Sequence, residues 1–419
     1  MPLASAKADN INSSILVWAR ETAGLSLEEA ARKIGLTSST RSSAAEKMEA
    51  LEAGKNFPTR NQLLEIARVY RRPLTVFYLA KPPRIADRGE DFRTLPGPVS
   101  PRDSALLDAL LRDARVRQDI VKSILEEDED TKPLEFVNSI SISDSPVDIA
   151  DKIRDILGIK SKDWTTDYSS PDELFKDFRS RVETLGVFVL LIGNLGSHHT
   201  DISEQVFRGF AIADEIAPFI VINPQDAKPA RIFTLAHELV HLFAGKTGVS
   251  GSPTVVAPKT PSARIERFCN DVAGEFLLPA SSVEKIGNIT TRNSAQQIIS
   301  NLAKSKNLSE SMIAYRLHLL GRIDQKIYSH LREYYEKRWS EYKQSSKELR
   351  QKSDSGPSSH VVRRYRLGNP LLNLVGHTLR ENQITHTTAA RILAVKPTSV
   401  EPLLQGVSSL RGLFPQGGG

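Results

Sequence analysis

Apolar residues recur at helical spacing in ILVWARETAGL (15–25), LSLEEAARKIGLT (25–37) and QLLEIARVYRRPLTVFYL (62–79). Gly24, Gly35 and Gly54 stand where these helices would end. Short helices with tight turns predict a helix-turn-helix unit. The Pro-, Gly- and charge-rich stretch 81–101 reads as a linker, followed by a helical arm at 102–130. Beyond residue 136 the pattern changes. PVDIADKIRDILGI and SPDELFKDFRSRVETLG keep the helical period, whereas VFVLLIG, FRGFAIAD and APFIVIN are short β-branched or aromatic runs that predict strands. Two further helices follow, FTLAHELVHLF and RIERFCNDVAGEFLLP, separated by a Gly/Pro/Ser/Thr-rich stretch, TGVSGSPTVVAPKTPSA, read as a loop. Strands followed by helices argue for an α+β core.

Residues 324–366 carry eleven Lys/Arg against six Asp/Glu and predict a long solvent-exposed helix, with a flexible break at SDSGPSSH. The end of the chain is helical again, closing on a loose PQGGG. AARKIGL (30–36) and AARILAV (389–395) echo one another, which hints at a second helix-turn-helix-like unit. The expected organisation is 1–83, helix-turn-helix; 84–135, linker and arm; 136–322, α+β domain; 323–366, charged helix and break; and 367–419, small helical domain with a disordered tail.

Composition changes this picture little. Hydrophobic content of 40% and charged content of 25% are those of a soluble globular protein. A net charge of +6 permits a nucleic-acid partner without demanding one. Cys269 is the single cysteine, which excludes an internal disulfide framework and fits a reducing compartment. The first residues lack the apolar region of a secretory signal, and the run 187–192 is too short to span a bilayer. The expectation is a cytoplasmic protein with no membrane partner and an oligomeric state left open.

The chemistry concentrates in FTLAHELVHLFAG, 233–245. His237 and His241, at i and i+4, share one helix face and can aim two imidazoles at one metal ion. Glu238 is rotated by about 100° from His237, where its carboxylate reaches a water without ligating the metal. Hydrolytic zinc takes a third protein ligand and keeps one place open. Glu266 is the leading candidate, with Asn270 one turn on to fix a histidine tautomer; Glu275 is the rival acid. Cys269 reads as a buried, inert thiol, and His198–His199 as surface. The strand FRGFAIAD is a candidate edge for pairing with a substrate chain.

FRGFAIAD, PFIVIN, RIFTLAHELVHLF and IERFCNDVAGEFLLP together resemble the ImmA/IrrE family of metallopeptidases over roughly residues 140–320. The resemblance implies a zincin-like, gluzincin-type α+β fold. It implies His237, His241 and Glu266 as Zn2+ ligands and Glu238 as catalytic acid/base. Phe268 and Gly274 depart from the family's habit at positions that are not ligands. The N-terminal segment resembles Xre/Cro-like helix-turn-helix domains but departs at its recognition helix, where Glu46, Glu49 and Glu52 outweigh Lys47. Arg41, Ser43 and Lys47 are its candidate DNA contacts. The implied activity is zinc-dependent endoproteolysis of a helix-turn-helix repressor or antitoxin encoded nearby, relieving repression in a stress, DNA-damage or mobile-element response. The alternative is a DNA-binding regulator or antitoxin-like module whose peptidase fold serves as sensor or scaffold.

Overall fold

The computed structural model describes residues 8, 10–83, 90–91, 99–251, 260–351 and 358–405. Most of the stretch read as a linker, residues 252–259 of the stretch read as a loop, most of the break near 353–360 and the tail from 406 lie outside the described residues. Contacts divide the chain into two units, 1–88 with 96–113, and 89–95 with 114–419.

The first unit contains α1 (Ser13–Glu21), α2 (Leu27–Ile34), α3 (Ala44–Glu52), α4 (Arg60–Tyr70) and a 3-10 turn at Leu74–Tyr78. Ser26 with Glu29, Ser43 with Glu46, and Thr59 with Gln62 form capping boxes that satisfy the first amides of α2, α3 and α4. Ile15, Leu16, Ala30, Ala31, Met48, Ile66, Tyr70 and Phe77 close the core. Helix α5 (Pro101–Glu126) gives its residues up to Asp113 to this unit and the rest to the second.

The second unit is built on a mixed sheet of, among the described residues, five strands. These are β1 (Glu90–Asp91), β2 (Phe188–Leu191), β3 (Gly209–Ile212), β4 (Phe219–Ile222) and β5 (Gly248–Ser250), in the order β1-β5-β3-β4-β2. β3 runs antiparallel to both β4 and β5; the pairs β2–β4 and β1–β5 are parallel. β2, β3 and β4 are buried throughout, which is why they read as continuous apolar runs rather than alternating ones. Three corrections follow. β3 is not an edge, because β4 and β5 occupy both its sides, so it cannot take up a substrate strand. Residues 248–250 form a strand inside the stretch read as a loop, and residues 90–91 form one inside the stretch read as a linker.

Helices α6 (Pro146–Ile156), α7 (Pro171–Thr184), α8 (Lys228–Phe243) and α9 (Pro261–Leu277) pack around the sheet and one another. Ser145-Pro146, Ser170-Pro171 and Thr260-Pro261 start three of them: the hydroxyl caps, and proline fills a position whose amide has no helical partner. Trp164, Phe178 and Phe276 meet with ring centroids 5.3–5.4 Å apart beneath α9. Helices α10 (Arg292–Lys306), α11 (Glu310–Leu319) and α12 (Gln325–Gln351) continue the core. α12 is not exposed on every side, as its charge suggests: Ile327, Tyr328, Leu331 and Tyr335 form a buried stripe.

Helices α13 (Ser359–Leu367), α14 (Asn369–Arg380), α15 (His386–Leu393) and α16 (Val400–Leu404) complete the unit. α13 begins before the expected boundary at 367 and packs on β2. There Arg179 donates to the carbonyl of Val189, to Tyr365 O at 2.6 Å and to Glu183 Oε1 at 2.8 Å. Gly368 (φ 78°) lies so close that a Cβ would stand 2.5 Å from Glu183 Oε1. The outer side of β2 is thus covered, as edge strands require. The echo between α2 and α15 extends to local geometry. Each has eight residues behind a Ser or Thr cap, ends on a left-handed residue (Gly35, Ala394), and returns the next amide to an alanine carbonyl (Leu36 to Ala31, Val395 to Ala390). They part afterwards: α3 has nine residues and α16 five.

Candidate metal centre

Helix α8 has no solvent face beyond its first turn: every residue from Ile232 to Phe243 is buried. His237 and His241, one turn apart on its sheet-facing side, bring their Nε2 atoms to 3.0 Å. α9 crosses α8 and presents Glu266, whose Oε1 is 3.3 Å from His237 Nε2 and whose Oε2 is 3.4 Å from His241 Nε2. Three potential donors on two buried helices therefore converge from positions almost thirty residues apart. β5 supplies a fourth group: Ser250 Oγ lies 3.1 Å from His237 Nε2 and 3.4 Å from His241 Nε2.

Burial and charge work against one another here. Burial pushes Glu266 up, but His237 and His241 beside it outweigh that and hold it down to about 2. Burial pushes His237 down, yet Glu266, with Glu238 and Asn270, leaves it raised. Glu238 is fully buried, and burial carries it up to about 8, with His237 and Ser250 opposing and Glu266 assisting. Neither carboxylate oxygen of Glu238 has a hydrogen-bond partner, and neither has Glu266 Oε2. Buried carboxylate oxygens without partners are costly, and a cation with a water would satisfy them. Two imidazole nitrogens and a carboxylate form the donor set that zinc takes in hydrolytic sites. The residues fit the metal.

Two residues outside the sequence-derived set shape this site. Gly209 of β3 faces Glu238; a Cβ there would lie 2.7 Å from Glu238 Oε1 and from Thr234 Cγ2. A glycine inside a strand run was the available signal, since it marks a close approach of another group. Ser250 carried no such signal, because its role depends on a three-residue strand. The rival acid Glu275 is bonded to Arg316 and accepts the Ala280 amide at 3.3 Å, so its carboxylate is spent at the end of α9. Asn270 is buried beside the histidines, where it favours a protonated His237. Cys269 is buried and its thiol pushed well up by burial. His199 is exposed and away from the cluster. In the first unit Arg41 is exposed; Ser43 caps α3, and Lys47 Nζ donates to Thr37 O at 2.6 Å.

Residues 189–318 match the family model of the IrrE N-terminal-like domain, peptidase family M78. Over that segment the chain is similar to the IrrE N-terminal-like domain. The IrrE-like segment runs from β2 to α11 and so contains both ligand-bearing helices, Gly209 and Ser250. No curated protein and no solved structure matches the chain. A metallopeptidase is what the family and the convergence of His237, His241 and Glu266 together indicate. No described helix is long and apolar enough to cross a membrane.

Proposed function

We propose that the protein is a zinc-dependent endopeptidase whose substrate is a helix-turn-helix repressor or antitoxin. The observation that carries the enzymatic half is the meeting of His237, His241 and Glu266 with an unpartnered, buried Glu238 beside them. His237 and His241 would hold zinc through Nε2 and Glu266 through its carboxylate. When bound, zinc supplies Lewis acidity, polarising a peptide carbonyl and acidifying a water. Glu238 accepts the proton of the attacking water on its carboxylate and returns it to the leaving amine nitrogen. Asn270 orients His237, and the buried helices keep both rings in place. Glu238→Gln should retain metal and lose cleavage by on the order of a hundredfold or more. Measured zinc content with cleavage of a neighbouring helix-turn-helix regulator checks this; undiminished cleavage would remove Glu238 from the role.

The substrate half rests on the ImmA/IrrE likeness and on the Xre/Cro-like character of the first unit, which would bring the peptidase to its regulator on DNA or bind that regulator directly. Ser43 and Lys47 are engaged locally, so Arg41 leads the candidate DNA contacts. DNA binding through this unit would weaken steeply with salt; binding that is indifferent to salt would assign it to protein recognition.

A further inference from the structure

A serine hydroxyl stands among the donors gathered at the centre. For ligand bonds of about 2.0–2.1 Å, tetrahedral donors stand about 3.3 Å apart. His237 Nε2 and His241 Nε2 stand 3.0 Å apart, with Glu266 Oε1 3.3 Å from the first and Oε2 3.4 Å from the second. Ser250 Oγ, at 3.1 and 3.4 Å from the two imidazole nitrogens, continues the same spacing. It therefore stands beside both imidazole donors, on the side of the centre where a hydrolytic site keeps one place open to solvent. Its place is set by the backbone. Ser250 is opposite Gly209 in the β3–β5 ladder, and its carbonyl accepts the Arg208 amide at 3.1 Å. On its other side β5 is paired with β1 at Gly248 and Val249. Its side chain is buried, within hydrogen-bond distance of both histidine nitrogens.

We propose that Ser250 is an internal fourth ligand that closes the metal centre at rest, so that the site opens only when the end of β5 withdraws the hydroxyl. This rests on the metal centre proposed above. With metal bound, Ser250 Oγ would act as a neutral hydroxyl ligand, keeping its proton, and its withdrawal would leave that place to one solvent or substrate oxygen.

Cobalt-loaded full-length protein tests this without recourse to activity. Ser250→Cys puts a thiol in the hydroxyl's place and should add a sulfur-to-cobalt charge-transfer band absent from the wild type. Ser250→Ala should bind azide, titrated by the visible cobalt spectrum, on the order of tenfold more tightly than the wild type, as expected when a protein group no longer competes. Circular dichroism of each variant confirms folding, and either variant alone is sufficient. A loaded Ser250→Cys protein without the band, or equal azide affinities in wild type and Ser250→Ala, would overturn the latch while leaving the three-ligand centre standing. Failure of the wild type to bind cobalt would overturn both.

Discussion

At the scale of single residues, the centre depends as much on what is missing as on what is present. Glu238 reaches its position because Gly209 has no side chain. Gly209→Ala should force either the carboxylate or the strand to move, costing about 1–3 kcal/mol as overpacking does. Cleavage should fall at least on the order of tenfold, since small displacements at a reacting centre are expensive. Gly287 is the control: it is exposed, and a Cβ there meets nothing within 4 Å. Gly287→Ala should change stability by less than about 0.5 kcal/mol. Thermal unfolding and cleavage assays on the pair separate the effect of the site from that of adding a methyl group.

At the scale of elements, two clamps hold the parts that surround the centre. Arg316 of α11 pairs with Glu275 and donates to Leu278 O at 3.0 Å, tying α11 to the end of α9. Arg316→Met leaves a buried carboxylate alone and should cost about 3–5 kcal/mol; adding Glu275→Gln should recover part of it. Chemical denaturation of the single and double variants measures that coupling. Glu204 takes Trp339 Nε1 at 3.1 Å and Lys343 Nζ at 2.6 Å, holding α12 against the IrrE-like segment. Burial pushes Glu204 up, but Lys343 and Trp339 hold it below its ordinary value. A depressed carboxylate stabilises the fold above its unfolded pKa of about 4.3 and loses that contribution as pH falls through the lower folded value. Trp339 fluorescence should therefore change in an acid step below about pH 4 that Lys343→Met removes. These clamps also mark the limit of what the sequence reveals. The helices and the three apolar strands were legible because burial imposes a period or a run. The meeting of His237, His241 and Glu266 was legible because metal chemistry fixes residue type and spacing. β1 and β5 were not, since two or three residues of ED and GVS have no pattern of their own and exist by pairing. Ser250 was invisible for the same reason, and the central place of β3 depended on β5.

At the scale of the whole molecule, two compact units and, among the described residues, one candidate metal centre imply unequal responses to the same treatment. Unfolding should proceed in separable transitions. Zinc at a hundredfold excess over its Kd adds about 2.7 kcal/mol to the unit that binds it. Calorimetry with and without chelator should therefore move the transition of the second unit by several degrees and leave that of the first unchanged; a common shift would mean that the units unfold together. Within the second unit, stiffness is also unequal. From Ile232 to Phe243, α8 is enclosed by sheet and helices on every side, so its amides should exchange with solvent only as fast as the unit unfolds. β5 is three residues long and held by few hydrogen bonds. Its amides should exchange sooner, so the mechanical compliance of the centre resides in a strand that contributes no ligating imidazole or carboxylate. A compound that stiffened β5 would slow the protein without competing for the metal.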